Sequence, residues 1–282
     1  MSRPTGFPVA DVGDNFLRAR RRQVLARLAA KLRREPDDVN LVLPFDEVVA
    51  ALGHRGEQYL GLQTIKLESV VGSVDSTRDF DRRFRPTSSR VRERWERLAL
   101  AQLRGEAMPP IEVYRIGDLH FVKDGHHRVS IAIAGGRRDI DAYVTEVRTA
   151  ISSRGVRHRS DLLVKDHERL FRARVPLRAE EHAKIKVTDP WSYAELGEAV
   201  EAWGFRCMQD EGGYLDRERV ARRWFAEEYV PVVRMLRAAD LLGNRTDAEA
   251  YLAVAEERYR LIRTHDWTDE VVDRLRTRRD LR

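Results

Sequence analysis

FVKDGHHRVSIA, residues 121–132, decides how this chain is read. An apolar run breaks off at Val122, and an apolar helical pattern resumes with Val129, Ile131, Ala132 and Ile133. Between them stand Asp124, Gly125, His126, His127 and Arg128. A strand that turns through glycine into the first turn of a helix is, in physical terms, an anion site. The helix start offers free N–H groups and a partial positive charge. Gly125 permits a tight turn or a close backbone approach. Arg128 carries a fork of donors matched to phosphate. His126 and His127 can donate hydrogen bonds or move protons near neutral pH. Asp124 is a candidate base or Mg²⁺ ligand. The loop thus holds the parts for phosphate binding and for phosphoryl transfer. An Asp-Gly pair also makes plain turns, and histidines at a helix start also cap or pack. The chain has no Walker A pattern, so this is not a P-loop enzyme. Adjacent helical histidines cannot easily face one ion, and no cysteine or second carboxylate pair stands nearby at ligand spacing, which argues against zinc.

Upstream, LQTIKLESVVGS (62–73) has the β-branched content of a strand, and the charged, proline-ended 74–86 segment predicts a loop. SSRVRERWERLALAQLRG (88–105) predicts a helix with Val91, Trp95, Leu98 and Ala99 as its apolar stripe. PPIEVYRI and LHFV predict a hairpin about Gly117-Asp118, followed after the motif by a helix over 127–134 and a strand over 139–147. Residues 1–13 read as a loose lead-in. Residues 14–34 read as a helix capped by Asp14, with Phe16, Leu17, Val24, Leu25, Leu28 and Leu32 as its apolar positions. A short helix over 45–52 stops at Gly53. Past residue 150 strand signals mostly end. Asp189 and Pro190 open one helix, and Pro231 kinks or divides the long pattern over 215–243. Thr246 and Glu249 stand at capping-box spacing, and 268–282 predicts a last short helix. The expected class is α+β: a helical lead-in (1–58), a mixed sheet with helices (59–150) and an α-helical domain (151–282).

Over residues 60–148 this order of elements, with STRDF in the charged loop and DGHHR after the hairpin, resembles the ParB/sulfiredoxin superfamily. At the motif position ParB proteins read Gly-Glu-Arg-Arg and bind the phosphates of CTP. Sulfiredoxin reads Gly-Cys-His-Arg and binds ATP. The free-serine kinases of the fold read Asp-Gly-His-His-Arg, the string found here. The resemblance implies that Gly125, His126, His127 and Arg128 hold a nucleotide's phosphates and that Asp124 assists transfer, with Mg²⁺ and ATP, ADP or CTP as ligands. Arg78 matches the arginine of the Gln-Pro-Arg segment of ParB proteins. Asp75 is the acid nearest the kinases' glutamate, one residue out of register. His126 stands at the sulfiredoxin cysteine, which excludes that thiol chemistry. The implied function is a Mg²⁺-dependent phosphotransferase or nucleotidase. The alternative is a non-catalytic, nucleotide-switched DNA- or protein-binding module, although no helix-turn-helix pair is recognisable past residue 150. The carboxy-terminal half is similar to the helical part of uncharacterised bacterial ParB-like proteins, which implies no function.

The chain has 282 residues and a net charge of +6, with 52 basic residues set against 46 acidic ones. That modest excess permits an anionic partner without requiring one. Arg90, Arg94 and Arg97 share one face of the 88–105 helix, with Glu93 and Glu96 close by, so weak, sequence-independent DNA binding is the most this ridge predicts. The single cysteine, Cys207, rules out an internal disulfide framework. No apolar run reaches a membrane span and no signal-peptide pattern opens the chain, so a cytoplasmic protein is expected. The aromatic residues after 190 fit core packing, and RRWFAEEY (222–229) would also suit a homodimer interface.

Overall fold

The computed structural model describes residues 8–36, 38–75 and 78–262. The expected terminal helix at 268–282 and residues 1–7 of the lead-in lie outside them. The chain divides into two compact units, residues 1–165 and 166–282. The first unit contains the helical lead-in as well as the sheet.

In the first unit the order among the described residues is α1 (Pro8–Leu32), β1 (Leu43–Pro44), α2 (Phe45–Leu52), β2 (His54–Lys66), β3 (Val70–Ser73), α3 (Arg92–Leu103), β4 (Ile111–Ile116), β5 (Leu119–Asp124), α4 (His126–Ala134) and β6 (Asp139–Thr149). The helix α5 (Asp161–Arg174) crosses the division. The strands form one mixed sheet in the order β1-β3-β5-β4-β6-β2. The β4–β5 hairpin and the β6–β2 pair are antiparallel, whereas β1–β3, β3–β5 and β4–β6 are parallel. The fold class is therefore α+β with a mixed sheet.

Alternation along the strands sends neighbouring residues to opposite faces. Val70, Val113 and Val122 join one core with Val12 and Phe16 of α1, Trp95 of α3 and Val129 of α4. Val71, Ile116 and Phe121 join a second core with Phe45, Val48 and Leu52 of α2. The motif helix α4 thus packs on the first face, beside α1 and α3.

Three readings need correction. The lead-in is helical from Pro8, so Asp14 lies inside α1 and caps nothing. Of the expected apolar positions of that helix Phe16 is buried, but Leu17, Val24, Leu25, Leu28 and Leu32 are exposed, and Val12, Ala19 and Ala30 are buried with Phe16. The strand expected over 62–73 is parts of two strands. β2 begins at His54 and pairs with β6 as an outer ribbon, a short 3-10 turn (Leu67–Ser69) follows, and β3 then enters the sheet beside β5. The polar sequence of 54–61 hid the first part, because a ribbon at a sheet edge has little to bury. Gly56 and Gly61, both at positive φ, sit at its register shifts.

The second unit is helical among its described residues: α6 (Ala179–His182), α7 (Ser192–Glu211), α8 (Arg217–Arg223), α9 (Val230–Ala238) and α10 (Asp247–Ile262). The long pattern with Pro231 divides as expected, and by an unusual device: residues Trp224–Tyr229 form a π-helical segment between α8 and α9. Thr246 and Glu249 make the expected capping box, with reciprocal hydrogen bonds of 3.0 and 3.3 Å. Trp224, Phe225, Tyr229 and Tyr251 pack their rings on one another inside this unit, so the aromatics of RRWFAEEY are committed to its core.

Candidate functional site

Asp124 ends β5, and Gly125 turns the chain at φ 101°, ψ 20° as the residue preceding α4. Two constraints meet at this glycine. The left-handed backbone is strained for any other residue. A Cβ there would stand 2.5 Å from Ile111 Cγ2 and 2.9 Å from Ile111 Cβ. The turn is therefore pressed against β4, and α4 starts at the end of an inner strand as the sequence predicts, one residue earlier than the 127–134 range.

Both histidines lie inward. His126 is buried, its Nε2 2.7 Å from the buried Ser73 hydroxyl at the end of β3. Its ring lies near-parallel to those of Phe80 and Phe84, at 6.3 and 6.4 Å. His127 meets the edge of Phe80 at 5.3 Å, and its Nε2 is buried without a hydrogen-bond partner among the described residues. Burial lowers both histidine pKa values. For His127 the charge of Arg94, and that of His126 when protonated, add to this and bring it to about 4. Both rings are therefore neutral at pH 7 and act as hydrogen-bonding groups, not as cations.

Arg128 is largely engaged. Its Nη1 donates to the carbonyl oxygens of Pro109 and Pro110, at 2.6 and 2.7 Å, and its Nη2 donates to Asp124 Oδ2 in a close ion pair one helical turn apart. The sequence reading aimed both side chains at a ligand, whereas here they hold each other and the start of β4. Only the Asp124 contact is exchangeable, because its carboxylate is more than half exposed.

The 74–87 loop is more than the charged excursion the sequence suggested. Phe80 and Phe84 are core residues, the latter at φ 52°. Asp81 is buried and accepts from the Arg83 and Arg85 backbone N–H groups at 3.0 and 2.9 Å. The Arg85 guanidinium completes its shell, with Nε and Nη2 at 2.8 and 2.7 Å. This internal pairing lets a highly charged loop lie on the apolar face of α4. It also brings Asp75 and Asp79 into electrostatic range of His126, with Asp79 acting on His127 as well.

The structure therefore gathers Asp75, Asp124, Gly125, His126, His127 and Arg128 about one strand-to-helix turn. Arg78 lines a cleft of about 940 Å³ beside α1, together with Arg20, Arg27, Lys31 and Phe80, whose ring also packs against both motif histidines. Three further residues, Ser73, Asp79 and Arg94, neighbour the motif without any sign of it in the local sequence. Arg94 belonged to the exposed ridge with Arg90 and Arg97, and its proximity to the histidines follows from the packing of α3 on α4. No short-range spacing could reveal it. Among the described residues no three His, Cys, Asp or Glu side chains gather closely enough to hold a metal ion. A protein-only cage is thus not available at the loop. An ion carried in by phosphates needs only one or two carboxylates, and Asp75 and Asp124 are the candidates.

Sequence and structure together define the class as α+β, a mixed six-stranded sheet with a glycine turn into a helix at the end of an inner strand. Compared with family models, with curated proteins and with solved structures, the chain matches none. Among the described residues no helix is long and apolar enough to cross a membrane.

Proposed function

We propose that the first unit is a nucleotide-binding domain of the ParB/sulfiredoxin type, with the phosphates of a nucleoside di- or triphosphate at the start of α4. The observation that carries this reading is Gly125: a left-handed residue wedged on Ile111, it fixes the first N–H groups of α4 at the end of an inner strand. Such N–H groups, with the helix dipole behind them, bind phosphate without any charged side chain. Neutral His126 and His127 fit this role as donors. Arg128 then acts by exchange: a phosphate oxygen takes the Nη2 donor from Asp124, while Nη1 stays anchored on Pro109 and Pro110.

That exchange would free the Asp124 carboxylate next to the bound phosphates, as a base toward a hydroxyl or water or as one ligand of accompanying Mg²⁺. Phosphoryl transfer is the reading this supports over a purely static module. The exposed Arg90, Arg94 and Arg97 ridge adds at most weak, sequence-independent contact with DNA phosphates.

The test is calorimetric titration of ATP, ADP, CTP and GTP, with and without Mg²⁺, into the wild type and Arg128→Lys. Lysine keeps the charge but not the fork, so affinity should fall about ten-fold or more. Equal affinity in the two proteins, or no binding of any nucleotide to the folded wild type, overturns the proposal.

A further inference from the structure

The second unit holds a pocket that the loop chemistry does not use. It has a volume of about 520 Å³ and is walled by the π-helical segment and α9 on one side and residues 183–186 on the other. That volume is in the range of small-molecule sites. Its apolar wall is Phe225, Val230 and Val233. Its charged lining is Lys184, Lys186, Arg234, Arg237 and Asp247. Asp247 is already committed to Arg237, through contacts of 3.1 and 2.7 Å. Lys184, Lys186 and Arg234 have no ion-pair partner among the described residues. Lys184 instead stands 5.9 Å above the Phe225 ring.

Two further observations point to a ligand. The π-helical turn is an uncommon conformation that recurs at functional sites. Here it sets Phe225 and Tyr229 near-parallel at 5.6 Å, both in the pocket lining. The Tyr229 hydroxyl is buried and has no hydrogen-bond partner among the described residues, and the residue as a whole is 2% exposed. It lies in the field of Asp247 and Arg237, which line the same pocket. A buried hydroxyl without a partner is rare in folded proteins, and an acceptor brought by a ligand supplies what it lacks.

We infer that this pocket binds a phosphate monoester with a flat apolar body, the ring-shaped part against Phe225 and the phosphate among Lys184, Lys186, Arg234 and the Tyr229 hydroxyl. A monoester carries roughly −1.5 to −2 charge at pH 7 and several strong acceptor oxygens. That charge matches Lys184, Lys186 and Arg234, and an oxygen gives the Tyr229 hydroxyl an acceptor. The inference is independent of the α4 loop, since every residue named lies in the second unit.

Phenyl phosphate is the probe, titrated calorimetrically into the full chain beside inorganic phosphate and phenol. Phenyl phosphate should bind at least about ten-fold more tightly than either half, as each half forfeits one wall of the site. The double variant Lys184→Gln, Arg234→Gln should lose about ten-fold or more of that affinity, by removing two charge-assisted contacts. Tyr229→Phe is the discriminating variant. The free protein should melt at the same temperature or higher, since the lost hydroxyl had no partner, while phenyl phosphate affinity falls by roughly three- to ten-fold. No heat from phenyl phosphate with the folded wild type overturns the inference. So does equal binding of inorganic phosphate, or an affinity unchanged in both variants.

Discussion

His126 Nε2 lies 2.7 Å from the Ser73 hydroxyl, with both side chains buried. This one contact joins the end of β3 to the first turn of α4, so the motif helix is held from the sheet side as well as from the loop. It also defines what the first histidine does in the absence of ligand: it anchors. Ser73→Ala leaves a buried ring nitrogen unpaired and should cost about 1–3 kcal/mol. Urea denaturation measures this, and an unchanged midpoint would remove His126 from its anchoring role.

Gly125→Ala should be more damaging. The substitution combines a positive φ with a Cβ inside contact distance of Ile111. Strain and overpacking each run to about 1–3 kcal/mol, so a loss of at least about 2 kcal/mol is expected. Gly136, also at positive φ but with open space around it, is the control: Gly136→Ala carries the backbone strain without the clash. Comparing the two melting temperatures separates the terms, and equal losses would show that the press against β4 is not what fixes the turn.

Asp124→Asn should keep the fold, because the carboxylate is largely exposed and such ion pairs contribute about 0–1 kcal/mol. Nucleotide affinity should hold or rise, since asparagine competes less well for Arg128 and repels phosphate less. Turnover of nucleotide, assayed against water and a panel of hydroxyl acceptors, should disappear. An Asn variant that turns over at the wild-type rate would exclude Asp124 as the base.

Acid should destabilise the first unit before its carboxylates protonate. His127 and His120, each with a free value of 6.5, are brought to about 4, chiefly by burial and then by Arg94 at His127 and Arg115 at His120. The folded state then binds fewer protons than the unfolded state between these values, so stability is full above about pH 6.5 and falls as pH drops toward 4. Each residue contributes on the order of 1–3 kcal/mol across that window. Denaturation midpoints measured from pH 7.5 to 4.5 should decline. His127→Gln should flatten part of the slope, and a flat wild-type profile would mean that the rings take up protons in the fold as readily as in the unfolded chain.

The local elements around the motif are legible in nearby residues: the β4–β5 hairpin, the glycine turn, α4, and the stripe of Val91, Trp95, Leu98 and Ala99, of which Val91 falls in a 3-10 turn just ahead of α3. Each rests on periodicity or turn chemistry within a dozen residues, which the chain displays directly. The capping box at Thr246 and the interruption near Pro231 were legible for the same reason. Which groups surround the turn depends on how distant segments pack. Ser73, Asp79 and Arg94 reach the histidines from β3, the 74–87 loop and α3, through contacts spanning tens of residues. Tertiary structure also decided that Arg128 and Asp124 satisfy each other. A charged pair one helical turn apart can face a ligand or close on itself, and the Pro109 and Pro110 carbonyls select closure by holding the guanidinium down. The burial of Phe80 and Phe84 was hidden by the charge around them. Asp81 and Arg85 cancel each other inside the loop, and that cancellation exists only once the chain has folded back on itself.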